Sequence, residues 1–301
     1  MSDSVSIIDT EALGERGVVA AYLVSGKENA LIDMGYRSSS DVVIEELSTH
    51  GIHEDDLHYL LPTHVHLDHS GSCGTLARNY PNASVLVHPR GETHLVDPTR
   101  LVKGARDLFG DRLMERYGLP EPIEEKRVRR AADDETVSLG NGVTLRAIWT
   151  PGHASHHLSY LLEGEGVLLS GDAVSVRHPA FPILVPTTPP PSFSLDKAIG
   201  SLHRLGELHI TRLCTPHFGT LEGGRELFLQ NVKALDDWKT KFEEFVSREM
   251  RVEEMAKALT DDICRRSGRL ASDVPEYLQV MIRLSVLGFL DYLKRESMAF
   301  S

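Results

Sequence analysis

Two stretches of the chain place apolar runs on either side of a short polar turn, which is the pattern of a β-hairpin. One is AYLVSGKENALIDMG at residues 21–35, and the other is LSYLLEGEGVLLSGDA at residues 158–173. Each hairpin is followed later by an apolar segment that runs into a histidine, LHYLLPTH at His64 and ITRLCTPH at His217. This repeated plan predicts two similar halves with hairpins and helices, and therefore an α/β sandwich with its chemistry at the strand ends.

Apolar residues at helical spacing predict further helices. Between the two halves, residues 91–118 show this spacing, and we interpret the segment as an insertion near the mouth of any site. After Gly224 glycine becomes rare, and apolar stripes predict helices at residues 225–248, 252–266 and 274–295. We predict a catalytic domain at residues 1–223 and a C-terminal helical region at residues 224–301, which covers the active site, mediates dimerisation, or does both.

Residues 182–191 read PILVPTTPPP and contain five prolines. Proline has no backbone N–H, so this segment is expected to be extended and to stay outside any central sheet. Its place in the chain after Asp172 suits a wall of a substrate site, and a plain connector fits the sequence equally well.

Composition and charge exclude several classes of partner. The formal net charge of −12 argues against nucleic acid, because phosphate binding needs a positive surface. The one basic run, KRVRR at residues 126–130, is interpreted as a solvated strand edge. Three widely spaced cysteines predict reduced thiols, and no signal peptide or membrane-length apolar run is found. We therefore expect a cytoplasmic protein that does not bind membranes.

Residues 62–71, PTHVHLDHSG, crowd three histidines and one carboxylate into six positions. In an extended segment, residues two apart point the same way, so His64 and His66 can bind one ion. After the chain turns, Asp68 and His69 can face a second ion. Neutral imidazole with carboxylate is the ligand set of zinc and its first-row neighbours, so the motif predicts a metal site.

Further ligands are found in suitable contexts later in the chain. TPGHASHH places His153 after a Pro-Gly turn, SGDA places Asp172 at the end of the second hairpin, and TPHFG places His217 at the end of a late strand. With the four residues of the first motif they are sufficient for two ions that share one carboxylate.

The order of these motifs resembles the metallo-β-lactamase superfamily over roughly residues 5–222. THVHLDHSG, TPGH, SGDA and TPHFG follow one another as they do in that superfamily. The resemblance implies an αβ/βα four-layer sandwich, here with a C-terminal helical appendage. It also implies two Zn²⁺ ions, with iron or manganese as alternatives. The implied ligands are His64, His66 and His153 for one metal, Asp68, His69 and His217 for the other, and Asp172 as the bridge.

The resemblance further implies a dinuclear hydrolase in which a metal-bridging hydroxide attacks a small ester, thioester, lactone or phosphodiester. Asp68 and Asp172 are the expected catalytic carboxylates, and either Asp68 or a metal-bound water protonates the leaving group. His157 is a candidate substrate-binding residue, although it and His156 equally fit ordinary packing. Asp33 in LIDMG is interpreted as a structural residue behind the metal loop, and Cys73 as a small buried residue.

Departures from known branches leave the substrate open. Ser175 stands where acyl-homoserine lactonases carry a tyrosine, and GDAVSVRHPAF lacks the Cys-Gly-Arg segment typical of glyoxalase II and persulfide dioxygenases. Class B3 β-lactamases lack the bridging aspartate, and transfer-RNA-processing members have a basic arm that is missing here. The alternative function is a mononuclear iron oxidoreductase that resembles persulfide dioxygenases. A non-catalytic scaffold is the third hypothesis. We expect a small-molecule substrate and a homodimer.

Overall fold

A computed structural model describes residues 4–178 and 181–299 of the chain. Two compact units are present. The first unit comprises Met1–Trp149, His156–Gly171 and Thr211–Glu222. The second unit comprises Thr150–Ser155, Asp172–Ile210 and Gly223–Ser301. The predicted domain boundary at residue 223 stays a prediction.

The first six strands form one sheet of the first unit, in chain order. These strands are β1 (Val5–Asp9), β2 (Ala20–Val24), β3 (Asn29–Ile32), β4 (Leu57–Leu61), β5 (Ser84–Val87) and β6 (Val128–Arg130). Strands β1 to β3 pair antiparallel, whereas β3 to β6 pair parallel. The helices between them are α1 (Ser40–Thr49), α2 (Leu67–Ser70), α3 (Cys73–Asn79), α4 (Glu92–Val96) and α5 (Thr99–Tyr117).

Eight further strands follow along the chain. They are β7 (Glu135–Gly140), β8 (Val143–Trp149), β9 (Leu158–Leu162), β10 (Val167–Leu169), β11 (Val176–His178), β12 (Phe181–Val185), β13 (Arg212–Thr215) and β14 (Gly219–Glu222). A second six-stranded sheet of the first unit has the order β14-β13-β10-β9-β8-β7. Strands β11 and β12 instead form a two-stranded ribbon in the second unit.

The two large sheets pack face to face because alternate residues of their strands are apolar on the facing sides. Tyr22 and Ile32 of the first sheet share one buried cluster with Leu145 and Tyr160 of the second. On its other face the first sheet contributes Leu23, Leu31 and Leu60 to a separate cluster with Val43 and Leu47 of α1 and Leu76 of α3. The first unit is therefore an α/β sandwich.

The predicted repeat is visible in the pairing of the strands. In the first sheet β2 and β3 form the predicted hairpin, and β3 then pairs parallel with β4, the strand that precedes His64. In the second sheet β9 and β10 form the other hairpin, and β10 pairs parallel with β13, which precedes His217. Parallel neighbours end at the same edge of a sheet, so each half delivers its histidines at a strand end.

The second unit contains α6 (Leu195–Gly206), α7 (Arg225–Ser247), α8 (Val252–Ser267) and α9 (Glu276–Ala299). The predicted C-terminal helices are thereby confirmed. Aromatic side chains fill the core between them, where the rings of Phe242 and Phe289 stack with centroids 4.4 Å apart. Phe193 packs on Phe289 at 5.5 Å, so the segment before α6 is part of the same core.

One smaller expectation is confirmed, since the proline-containing β12 joins the separate ribbon and neither large sheet. The basic run is solvated only in part: Arg129 and Arg130 of the edge strand β6 are exposed, whereas Arg127, just before β6, is half-buried and donates to the Tyr80 carbonyl oxygen at 2.8 Å. Residues 91–118 form two helices, with α5 interrupted at Gly110. No helix within the described residues has the length and apolar character that crossing a membrane requires.

Gly74 tests the close packing of α3. A Cβ built at this position would lie 2.1 Å from the Glu121 carbonyl oxygen, so Gly74→Ala must displace backbone. We expect a loss of about 1–3 kcal/mol in the free energy of unfolding, measured by urea denaturation. Gly104→Ala on α5 is the matched control, because its Cβ meets nothing within 4 Å. Equal stability of the two variants would contradict this packing.

Candidate metal centre

The first ligand motif lies directly after β4. The backbone bends at Thr63 and His64, is extended at His66 and then enters the single turn of α2, which carries Asp68 and His69. The ring nitrogens of His64 and His66 face each other at 2.8 Å, from Nε2 to Nδ1. The predicted turn is therefore present and the imidazoles of His64 and His66 lie side by side, although the backbone bends at His64.

A buried carboxylate, Asp33, fixes the direction of the His64 ring. It accepts hydrogen bonds from the Thr63 backbone N–H at 2.8 Å and from Thr63 Oγ1 at 3.0 Å. Because this hydroxyl donates its proton to Asp33, it accepts from His64 Nδ1 at 3.0 Å. The neutral imidazole then carries its lone pair on Nε2, the nitrogen that faces His66.

The same carboxylate orients His69. His69 Nδ1 donates to Asp33 Oδ2 at 3.0 Å, and both side chains are almost completely buried. His69 Nε2 therefore faces the opposite way, toward Asp68 Oδ2 at 3.7 Å. His217 Nε2 lies at the same 3.7 Å distance from that oxygen. The ligand atoms of Asp68, His69 and His217 all lie within 4.8 Å of one another.

These donors fit a metal ion. When one nitrogen of a neutral imidazole donates a hydrogen bond, the other nitrogen carries a lone pair. In His64 this second nitrogen faces His66 Nδ1, and in His69 it faces Asp68 Oδ2. Atoms with lone pairs that face one another in this way require a shared proton or a cation between them. Histidines that bind metals commonly donate their second N–H to a carboxylate or carbonyl in this way. The imidazoles of His64, His66, His69 and His217, with the carboxylate of Asp68, match the preferences of zinc and its neighbours.

The second unit holds the two remaining predicted ligands side by side. His153 Nε2 lies 3.3 Å from Asp172 Oδ2. On the other side of the ring, His153 Nδ1 lies 3.1 Å from the Thr187 carbonyl oxygen and 3.2 Å from its Oγ1. His153 and Asp172 are both buried. The Thr187 carbonyl thus orients the His153 ring through Nδ1, as Asp33 orients the His69 ring.

The loops that carry this pair are anchored to helices of the same unit. Ser201 Oγ of α6 donates to the Pro151 carbonyl at 2.7 Å, and a Cβ at Gly152 would lie 2.4 Å from Ala198 Cα, so only glycine fits there. After Asp172, the Ser175 N–H donates to Asn231 Oδ1 of α7 at 2.7 Å. A cavity lined partly by His153, Asp172 and Ser175 lies among these elements.

The two histidines after His153 have different surroundings in the first unit. His157 is completely buried, its ring centroid is 5.0 Å from that of His64, and a Cβ at Gly171 would lie 2.5 Å from its Nε2. His156 is half-buried, with its ring centroid 6.2 Å from those of both His64 and His66. The role of His157 in substrate binding stays a prediction, and His156 is the more exposed of the two.

Two further residues, one near the ligand motifs and one without a motif, are buried. Cys73 is completely buried, as expected, and burial raises the pKa of its thiol to about 12. His88 has no matching motif, and it is buried with its ring 4.5 Å from that of Trp149, so that burial lowers its pKa. Thr187 and Asn231 carry no motif signal, because their roles depend on partners distant in the chain. Thr63 opens the THVHLDHSG motif, but nothing in the sequence indicates its contact with Asp33.

A model of the metallo-beta-lactamase superfamily matches residues 14–217. The chain belongs to the metallo-beta-lactamase superfamily. This membership, with the fold described above, confirms the predicted family and fold class.

Curated relatives within this superfamily match part of the chain. The metallo-beta-lactamase fold-containing protein ST1585 of Sulfurisphaera tokodaii is 31% identical over 58% of this chain and 62% of its own length. The probable metallo-hydrolase MJ0888 of Methanocaldococcus jannaschii is 30% identical over 51% of this chain and 66% of its own length. An atrochrysone carboxyl ACP thioesterase of Aspergillus fumigatus is 28% identical over 53% of this chain and 40% of its own length. The chain thus matches less than two thirds of each of these relatives.

Structural likeness to the superfamily extends further along the chain. The crystal structure of ST1585 from Sulfolobus tokodaii superposes with a TM-score of 0.70 at 24% identity, and covers 97% of this chain and 98% of its own. At this level of identity the likeness shows a common fold, and that fold includes the C-terminal helices.

Asp33→Asn tests the role of the buried carboxylate. Asparagine tolerates the left-handed φ of +53° at this position, so the fold is expected to persist. Its amide N–H₂ would face either the Thr63 hydroxyl or the His69 Nδ1–H. Two hydrogen-bond donors would then face each other, and one hydrogen bond would be lost. We expect metal affinity to fall about 10–100-fold in a chelator competition assay. Asp9→Asn is the matched control, since Asp9 also accepts backbone N–H bonds. Unchanged affinity in a folded Asp33→Asn would contradict this role.

The buried thiols predict a pH dependence of stability in the metal-free protein. Burial raises the pKa of Cys73 and of Cys214 to about 12, from 9.0. Above pH 9 the unfolded chain releases protons that the native chain keeps, so stability falls as pH rises. The slope is about 1.4 kcal/mol per pH unit for each thiol between these pKa values. The Cys73→Ala/Cys214→Ala double variant should lose less stability between pH 8 and pH 10. Identical pH profiles of urea midpoints would contradict the assignment.

Proposed function

We propose that the protein is a dinuclear metal-dependent hydrolase of a small ester, thioester, lactone or phosphodiester. The observation that best supports this proposal is the orientation of three imidazoles. In His64, His69 and His153, Nδ1 contacts an acceptor in the protein, and Nε2 faces another predicted ligand. In this proposal, His64, His66 and His153 bind one ion, Asp68, His69 and His217 bind the other, and Asp172 bridges them.

The chemistry follows from these ligands. Metal ions bound by them supply activation of water as a nucleophile and polarisation of the oxygen under attack. Asp172 and Asp68 are the carboxylates nearest this chemistry. The Asp68 side chain is 22% exposed, whereas those of His69 and His217 are 0% and 4% exposed. Asp68 is therefore the most exposed of these three ligands and the one carboxylate among them, and we assign to it the transfer of a proton to the leaving group.

The substrate range is supported by relatives in part. A relative described as a probable metallo-hydrolase and another described as an acyl-carrier-protein thioesterase favour hydrolysis and include a thioester within the range. Zinc is the proposed metal, since imidazole and carboxylate are its usual ligands here. A homodimer and a cytoplasmic location remain part of the proposal.

Asp172→Ala tests the bridging role. Loss of the shared carboxylate should remove one or both ions and reduce hydrolysis to background, measured by elemental analysis and by a panel of ester, thioester, lactone and phosphodiester substrates. Asp237→Ala is the control, because Asp237 is a half-exposed carboxylate on α7 that pairs with Lys233. Two bound metals and full activity in Asp172→Ala would refute the bridge.

The same measurements on the unaltered protein separate the two functional classes. About two zinc ions per chain with hydrolysis supports the proposal. A single iron per chain with oxygen consumption on a persulfide substrate would overturn it in favour of the oxidoreductase.

A further inference from the structure

Helix α9 lies against the segment that orients His153. That segment, residues 186–191, contains Thr187, whose carbonyl oxygen and Oγ1 face His153 Nδ1 at 3.1 Å and 3.2 Å. Four of its six residues are prolines and lack a backbone N–H, so the segment cannot hold itself through a regular hydrogen-bond ladder. Its position must be set by contacts with other elements of the unit.

A single serine of α9 holds the residues on both sides of Thr187. Ser285 Oγ accepts a hydrogen bond from the Thr188 N–H at 3.1 Å and donates to the Pro186 carbonyl at 3.3 Å. Thr188 Oγ1 in turn donates to the Ser285 carbonyl at 2.9 Å. Thr188 and Ser285 are both buried, so these bonds do not compete with water.

A glycine one turn later lets the helix approach this segment closely. A Cβ at Gly288 would lie 2.0 Å from the Thr188 carbonyl oxygen and 2.4 Å from the Pro189 carbonyl carbon. Serine and glycine are weak helix formers, and here they interrupt the apolar stripe of α9. Both positions contact the proline-rich segment. This contact accounts for a serine and a glycine in the helix, whereas helix stability alone does not.

We propose that Thr187, Ser285 and Gly288 are positioning residues for the metal centre, and that α9 thereby sets the orientation of His153. The contacts run from Ser285 and Gly288 to residues 186–189, and from Thr187 to the His153 ring, whose Nε2 faces Asp172 at 3.3 Å. This inference rests on the proposed function in one respect, namely that His153 binds a metal. It assigns to the C-terminal helix a role beyond covering the site or forming a dimer.

Metal affinity of the full chain tests this role without relying on activity. Ser285→Ala and Gly288→Ala are prepared metal-free, and Zn²⁺ is titrated in competition with a chromogenic chelator. We expect both variants to bind one ion about 10–100-fold more weakly than the unaltered chain, because an outer partner of a ligand is displaced. Ser297→Ala, an exposed serine of α9, and Gly200→Ala, where a Cβ meets nothing within 4 Å, should bind like the unaltered chain.

Two further comparisons separate positioning from general destabilisation. Ile263→Ala removes a buried side chain of α8, and should lower the thermal stability of the metal-free chain while leaving Zn²⁺ affinity unchanged. If Gly288→Ala fails to fold, Ser285→Ala decides, and Ser285→Thr, which keeps the hydroxyl, should recover affinity. The Co²⁺-loaded Ser285→Ala protein should also show an altered visible spectrum. Folded Ser285→Ala with unaltered affinity and spectrum would overturn the inference.

His153→Ala distinguishes failure of this inference from failure of the proposed function. If His153→Ala loses one ion while Ser285→Ala and Gly288→Ala bind both ions normally, the positioning role of α9 is wrong and the metal centre stands. If His153→Ala binds both ions with full affinity, His153 is not a ligand, and both the proposed ligand set and this inference are wrong.

Discussion

The buried carboxylate of Asp33 is the constraint on which the metal-binding loop depends. A charged group without water must be satisfied by donors, and Asp33 receives them from the Thr63 backbone, the Thr63 hydroxyl and His69 Nδ1. Through that hydroxyl it also sets the ring of His64. One side chain outside the predicted ligand set thereby orients two imidazoles, and the hydrophobic packing of β3 and β4 holds it in place.

The second unit reaches a comparable result with different groups. His153 is oriented by the carbonyl of Thr187, and the loop after Asp172 is fixed by Asn231 of α7. The proline-rich segment depends in turn on α9. The C-terminal helices thus contribute directly to the surroundings of two predicted ligands.

The sequence was informative where a function requires several residue types at short spacing. Hairpins, strand ends and the seven ligand candidates all carry local signals, because alternation and motif spacing are properties of neighbouring residues. Thr187 and Asn231 have no local signal, since a hydrogen bond to a distant partner leaves no trace in the local pattern, and Thr63 lies in the THVHLDHSG motif without a predicted role. The burial of His88 has no local signal for the same reason: it depends on Trp149, which lies 61 positions later in the chain. Asp33 was assigned a structural role, and its contacts specify what that role is.

X-ray diffraction from zinc-supplemented crystals, recorded on both sides of the zinc absorption edge, tests the central claim most directly. The proposed ligand set predicts two anomalous peaks per chain, one contacted by His64, His66 and His153, the other by Asp68, His69 and His217, with Asp172 contacting both. Crystals of folded, zinc-supplemented protein without anomalous density at these side chains would contradict it.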